Sequence, residues 1–202
     1  LHGAQRTRHR HRKHQALASH GRDLARGNFH DDLERVFCYE LYHQLRKIIE
    51  NQIETNDHAD YWSNVLLQGE LQKKELEEMT LSRFKVEQLE KEFIPDLIFH
   101  KIGTTEFQEL IIEVKTKPDL KYSEFKSDLA KISQFLSKYH YKKGMFIAAN
   151  NNFETIADQI KRNSRSLKME KKDQMNIYIV TRKDETQLSK CGTLYDLIEY
   201  SE

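Results

Sequence analysis

The chain has 202 residues, 38% hydrophobic and 32% charged, which is enough for one domain with a core and short for two. No apolar run approaches the roughly 18 residues of a membrane span and no hydrophobic signal core is present, so a soluble, cytoplasmic protein without membrane contact is expected. The net charge of +1 divides unevenly: residues 1–26 carry seven Arg/Lys against Asp23, or +6, which leaves the remainder at −5 and argues against a general nucleic-acid coat protein.

Residues 1–28 lack apolar periodicity and read as a disordered basic arm or leader, with 29–202 as the folded domain. The HRHRKH tract in the arm could hold phosphate or a stray metal, but no catalytic role is assigned to it. Cys38 and Cys191 match no metal-ligand or redox spacing, which points to a reducing compartment.

Asp31 followed by Glu34 has the spacing of a capping box, and Leu33, Phe37, Leu41, Gln44, Leu45 and Ile48 then predict a helix over about 31–53, with Glu40 at the edge of its apolar face. NVLLQGELQK (64–73) reads as a strand broken at Gly69, with Glu70 just after it. The charged stretch 74–92 suits either a helix or a loose excursion. FIPDLIFHK (93–101) and FQELIIEVK (107–115) predict two strands around a turn at Gly103 and Thr104.

Phe125, Leu129, Ile132, Leu136 and Tyr139 step by four and three, the stripe of a core-facing helix over about 123–139. KGMFIAAN (143–150) is the next strand, NFETIADQIKRN a helix, and MNIYIVTRK (175–183) a last strand. Strands that come first as a group and then alternate with helices indicate an α/β fold with a mixed sheet flanked by helices.

Chemistry concentrates in ELIIEVKTK (109–117). The β-branched run marks a buried strand, yet Glu113 and Lys115 interrupt it on one face, and a buried unpaired carboxylate costs several kcal/mol. If the two strands pair, their register could bring Asp96 beside Glu113. Two carboxylates held together call for a cation, and oxygen-only ligation suits Mg²⁺ or Mn²⁺. A lysine beside them can stabilise developing charge or hold a water, which outlines a hydrolytic phosphodiester site.

Pro95-Asp96 followed by Glu113-Val114-Lys115 at the end of the next strand resembles the signature of the PD-(D/E)xK nuclease superfamily, over about 31–183. The resemblance implies a restriction-endonuclease-like core (αβββαβ) with an extra C-terminal αβ. It implies that Asp96, Glu113 and the Val114 carbonyl bind the divalent ion and that Lys115 orients or activates the attacking water. An acidic residue from the first helix or strand is implied as well, with Glu70 favoured over Glu40. Asp128, Lys131 and Gln134 on the following helix are further candidates, none of which stands out.

The expected function is therefore a Mg²⁺- or Mn²⁺-dependent nuclease acting on DNA before RNA, in restriction, repair or anti-phage defence, alone or as a homodimer or larger complex. The competing readings are an RNA-cleaving toxin on the same core and a binding module that has lost catalysis. For Glu113 and Lys115 the plain alternative is an ion pair at a solvated sheet edge, worth at most about 1 kcal/mol. Lys117, Lys121 and Lys131 could meet phosphates, although helix-surface lysines are mostly solvated. His43, His100 and His140 lack ligand spacing, and Tyr39, Tyr42, Tyr61 and Trp62 read as packing residues.

Overall fold

The computed structural model describes residues 33–55, 59–69, 87, 89 and 93–199. The basic arm, Asp31, Glu70 and most of the stretch 74–92 lie outside them. The described chain is α/β: one mixed open sheet of six strands in the order β1 to β6, flanked by helices.

Helix α1 (33–55) and the short α2 (Ala59–Asn64) lead into β1 (Leu66–Gly69), β2 (Leu97–His100) and β3 (Leu110–Lys115). These three strands form an antiparallel meander, with Leu97 opposite Ile112 and Ile98 opposite Ile111. Helix α3 (Tyr122–Tyr139) carries the chain back so that β4 (Lys143–Ala149) runs parallel to β3, and α4 (Phe153–Asn163) and α5 (Lys171–Asn176) precede β5 (Ile177–Arg182), parallel to β4. A hairpin adds β6 (Lys190–Thr193) antiparallel to β5, before α6 (Leu194–Glu199).

Several expected boundaries move. Asn64 belongs to α2 rather than to a strand, and only four residues of the expected strand 93–101 are in the ladder, so Asp96 lies in the bend just before β2. Residues 175 and 176 end α5 instead of opening β5. The stripe of α1 runs through Phe37, Leu41, Tyr42, Leu45 and the buried Ile49, while Leu33 and Ile48 are exposed. One turn of helix separates Ile48 from Gln44, and both face away from the sheet.

Alternation along the strands divides the core in two. Leu97, Phe99, Ile112 and Val114 pack beneath α1 and α2, whereas Ile98, Ile111, Phe146 and Ile179 pack beneath α3, α4 and α6. On α3 every residue of the predicted stripe is buried, joined by Phe135 and, against type, by Asp128.

Two local devices fix where α3 lies. At Gly144 on β4 an added Cβ would come 2.1 Å from Ile132 Cγ2, so the helix rests on the sheet where one residue has no side chain. At the end of β4, the buried Asn151 accepts from the Leu120 amide at 3.0 Å and donates to the carbonyls of Lys117 and Ala149, both at 2.8 Å. Asn150, in the left-handed region at φ 60°, donates to the Thr116 carbonyl at 2.9 Å. The turn from β3 into α3 is thus tied to the end of β4, because its backbone groups have no ladder to satisfy them.

Gly144→Ala is expected to cost about 1–3 kcal/mol in urea denaturation, the usual penalty for overpacking a filled core. Gly69→Ala is the control: its Cβ would meet Leu97 at 3.4 Å, an ordinary contact, and stability should change by less than about 1 kcal/mol.

Candidate functional site

The site gathers at the end of β3, where a strand, a bend, a long helix and the start of α1 meet. Continuing the β2–β3 register by one residue brings Asp96 level with Glu113. Asp96 Oδ2 accepts the Val114 amide at 2.7 Å, so its carboxylate is pinned to the neighbouring strand. Of the expected set, Asp96, Glu113, Val114 and Lys115 are therefore brought together. Glu70 lies outside the described residues. Glu40 is exposed on α1 and accepts a bond from Gln44 on the next turn.

The helix contributes more than its sequence suggested. Glu113, only 1% exposed, accepts from Lys131 Nζ at 2.6 Å through Oε2. Lys131 Nζ also lies 3.4 Å from Asp128 Oδ1, and its side chain is 16% exposed, so it is not a solvated helix lysine. Lys115 Nζ donates to Glu34 Oε1 at 2.9 Å and lies 3.8 Å from Asp128 Oδ2. Glu34 thus reaches Lys115, while its expected cap partner Asp31 lies outside the described residues.

This arrangement excludes the solvated-edge ion pair. β3 is the third strand of six, paired on both sides, and Glu113 and Lys115 are bonded to other residues rather than to each other.

Four carboxylates, those of Glu34, Asp96, Glu113 and Asp128, share two ammonium groups, which leaves a formal charge of −2 in a largely buried cluster. Glu113 Oε1 and Asp128 Oδ2 are buried and make no hydrogen bond. Burial raises the Glu113 carboxyl well above its ordinary range, and the Asp96 charge adds to this, while Lys131 opposes it. Burial likewise raises Asp96, partly offset by the Val114 amide and by Lys115. Burial alone would lower both lysines, but it is outweighed: Glu34 and Asp128 raise Lys115, and Glu113 and Asp128 raise Lys131.

Among the described residues, no group of three or more His, Cys, Asp and Glu side chains stands ready as a metal-ligand set. Ammonium groups occupy one oxygen each of Glu34 and Glu113. A divalent cation nevertheless fits the donor chemistry, since the oxygens are hard, the charge to be balanced is −2, and Glu113 Oε1 has no other partner.

A cavity of about 300 Å³ is lined by Asp96 together with Cys38, Tyr39, Tyr42, Gly69 and Leu97. Tyr39 is exposed here, whereas Tyr42, Tyr61 and Trp62 pack beneath α1 and α2. His100 is buried and bonded to Gln68, and His43 and His140 are exposed. Cys38 and Cys191 are not joined in a disulfide, and no helix among the described residues is long and apolar enough to cross a membrane.

The raised carboxyls set a pH dependence. A carboxyl whose folded value lies above its unfolded one holds protons more tightly when folded, so its contribution to stability is lost as pH rises through the folded value. The melting temperature of the metal-free protein should fall relative to that of Glu113→Gln as pH rises above the ordinary carboxylate range, because the variant removes the most strongly raised group. Parallel melting curves for the two proteins over that rise in pH would show that Glu113 is already ionised without cost.

No protein family, curated protein or solved structure matches this chain.

Proposed function

We propose that the chain is a Mg²⁺- or Mn²⁺-dependent nuclease that hydrolyses phosphodiester bonds, in DNA before RNA, on a restriction-endonuclease-like core. The observation that carries this reading is Glu113: a carboxylate buried in a central strand, level with Asp96, with one oxygen unbonded and Lys115 on the same face. A fold selected for stability alone would place Val or Thr there. The order α1, antiparallel meander, α3 and parallel β4 supports the same core.

When bound, the cation supplies charge stabilisation at the phosphoryl oxygens and a more acidic water. The residues that would hold it are Asp96 and Glu113, with the Val114 carbonyl beside them, and Glu70 remains a further candidate. Asp96 is kept in place by the Val114 amide, so its position is fixed by the β2–β3 pairing rather than by a free rotamer. Lys115, steadied by Glu34, presents its ammonium on the Glu113 face, where it orients a water for in-line attack and offsets developing negative charge.

Asp96 lines the adjacent cavity, whose Tyr39 and Tyr42 suit an unstacked base or sugar of the bound strand. The basic arm could add salt-sensitive attraction to the phosphates.

The test is incubation with circular single-stranded DNA, linear duplex DNA and RNA, each with Mg²⁺, Mn²⁺ or EDTA. Cleavage should require the divalent ion, and cutting of the circle identifies an endonuclease. Lys115→Ala should reduce turnover by about 10²–10⁴-fold while the protein remains folded. Absence of cleavage on every substrate, or unchanged turnover in the variant, would remove the assignment.

A further inference from the structure

Lys131 holds Glu113, the residue a cation would need, and it does so with a second partner already within reach. Its Nζ lies 2.6 Å from Glu113 Oε2 and 3.4 Å from Asp128 Oδ1, on one side chain that is mostly buried. Asp128 has spare capacity, since its Oδ2 makes no hydrogen bond and lies 3.8 Å from the Lys115 ammonium. Lys115 is anchored elsewhere, by Glu34 at 2.9 Å. The two lysines therefore differ in kind: one touches Glu113 and the other does not.

We infer that Lys131 is a resident counter-cation, which neutralises Glu113 in the metal-free site and is displaced onto Asp128 when a divalent ion takes the Glu113 carboxylate. The second, independent observation is the unbonded Glu113 Oε1, an acceptor buried in the site that Lys131 leaves unused. The exchange keeps Lys131 ion-paired throughout, because Asp128 lies one helical turn back on the same face. No bond is made or broken, and one cation replaces another at a carboxylate.

The site then holds a divalent ion and two ammonium groups against four carboxylates, a formal charge of zero. In that state the Lys131 ammonium, released from Glu113, is available to a phosphate oxygen of the substrate. That last step rests on the nuclease reading, whereas the exchange itself does not.

The test compares Mn²⁺ binding by calorimetry to the wild-type chain, Lys131→Met and Lys115→Met. Both variants remove one positive charge, but only Lys131→Met removes the competitor at Glu113. It should bind Mn²⁺ about tenfold more tightly than Lys115→Met does, as expected when a close cation rather than a screened one is deleted. Equal affinities for the two variants would overturn the exchange, leaving only an effect of net charge.

A second measurement uses the wild type alone. The Lys131 ammonium resonance, assigned by its loss in Lys131→Met, should shift on Mg²⁺ titration with the Mg²⁺ affinity that calorimetry gives for the same wild-type protein. A resonance that does not move while Mg²⁺ binds would also overturn the exchange. If the wild type cuts DNA with Mg²⁺ and either overturning result is obtained, the exchange falls and the nuclease reading stands. If no divalent ion binds the wild type, both fall.

Discussion

A carboxyl group buried in the middle of a six-stranded sheet is the constraint around which this fold is arranged. Glu113 is buried on every side, and an isolated carboxylate there would neutralise rather than stay ionised. Lys131 is the group that opposes this, and it can reach only because α3 lies close to the sheet. The bare Gly144, the Asn151 ties at the end of β4 and the fully buried stripe of α3 all serve that approach. Ion pairs of this kind are weak arguments for stability, since apolar residues of similar volume often fold as well or better. The pair is better understood as what permits a chemically useful group to persist in a core.

The same geometry explains why the cluster carries excess negative charge. Two ammonium groups are distributed over four carboxylates, and the two unbonded oxygens lie where the shortage is greatest. Fully satisfied polar networks rigidify a core, while partly satisfied ones remain costly in a low dielectric. The deficit is thus local, held by neighbours that contribute apolar burial: Ile111, Phe125, Leu129 and Phe146 all lie in the adjoining core.

Much of this could be read from the chain, and the limits follow from physics. The period of two along β3 placed Glu113 and Lys115 on one face, and the pairing of β2 with β3 aligned Asp96 with them, because hairpin register follows from hydrophobic alternation. The buried stripe of α3 was equally legible from its spacing. Lys131 and Asp128 were not, since helix-to-sheet rotation is a tertiary property, and a lysine three residues after an aspartate looks like any solvated pair. The reach of Glu34 to Lys115 was not legible either, since where α1 lies over the meander is a tertiary property. The strand β6 escaped because KCGT is four residues long, has no apolar alternation and is recruited only by pairing with β5.

Glu34 on α1 and Asp128 on α3 both approach Lys115 at the end of β3. Helix α1 has one fully buried residue, Ile49, and rests on half-buried contacts through Phe37, Leu41 and Leu45, whereas α3 is buried along its length. Segments with so little buried apolar area open locally at lower free energy than the core. Transient release of α1 would free Lys115 from Glu34 while Lys131 stays held by Glu113 and Asp128. The two lysines thus belong to cooperative units of unequal stability, and amide exchange would open Lys115's partner long before Lys131's. Anything that clamps α1 onto the meander would tighten the Lys115–Glu34 contact directly and reach Lys131 only through the shared Asp128.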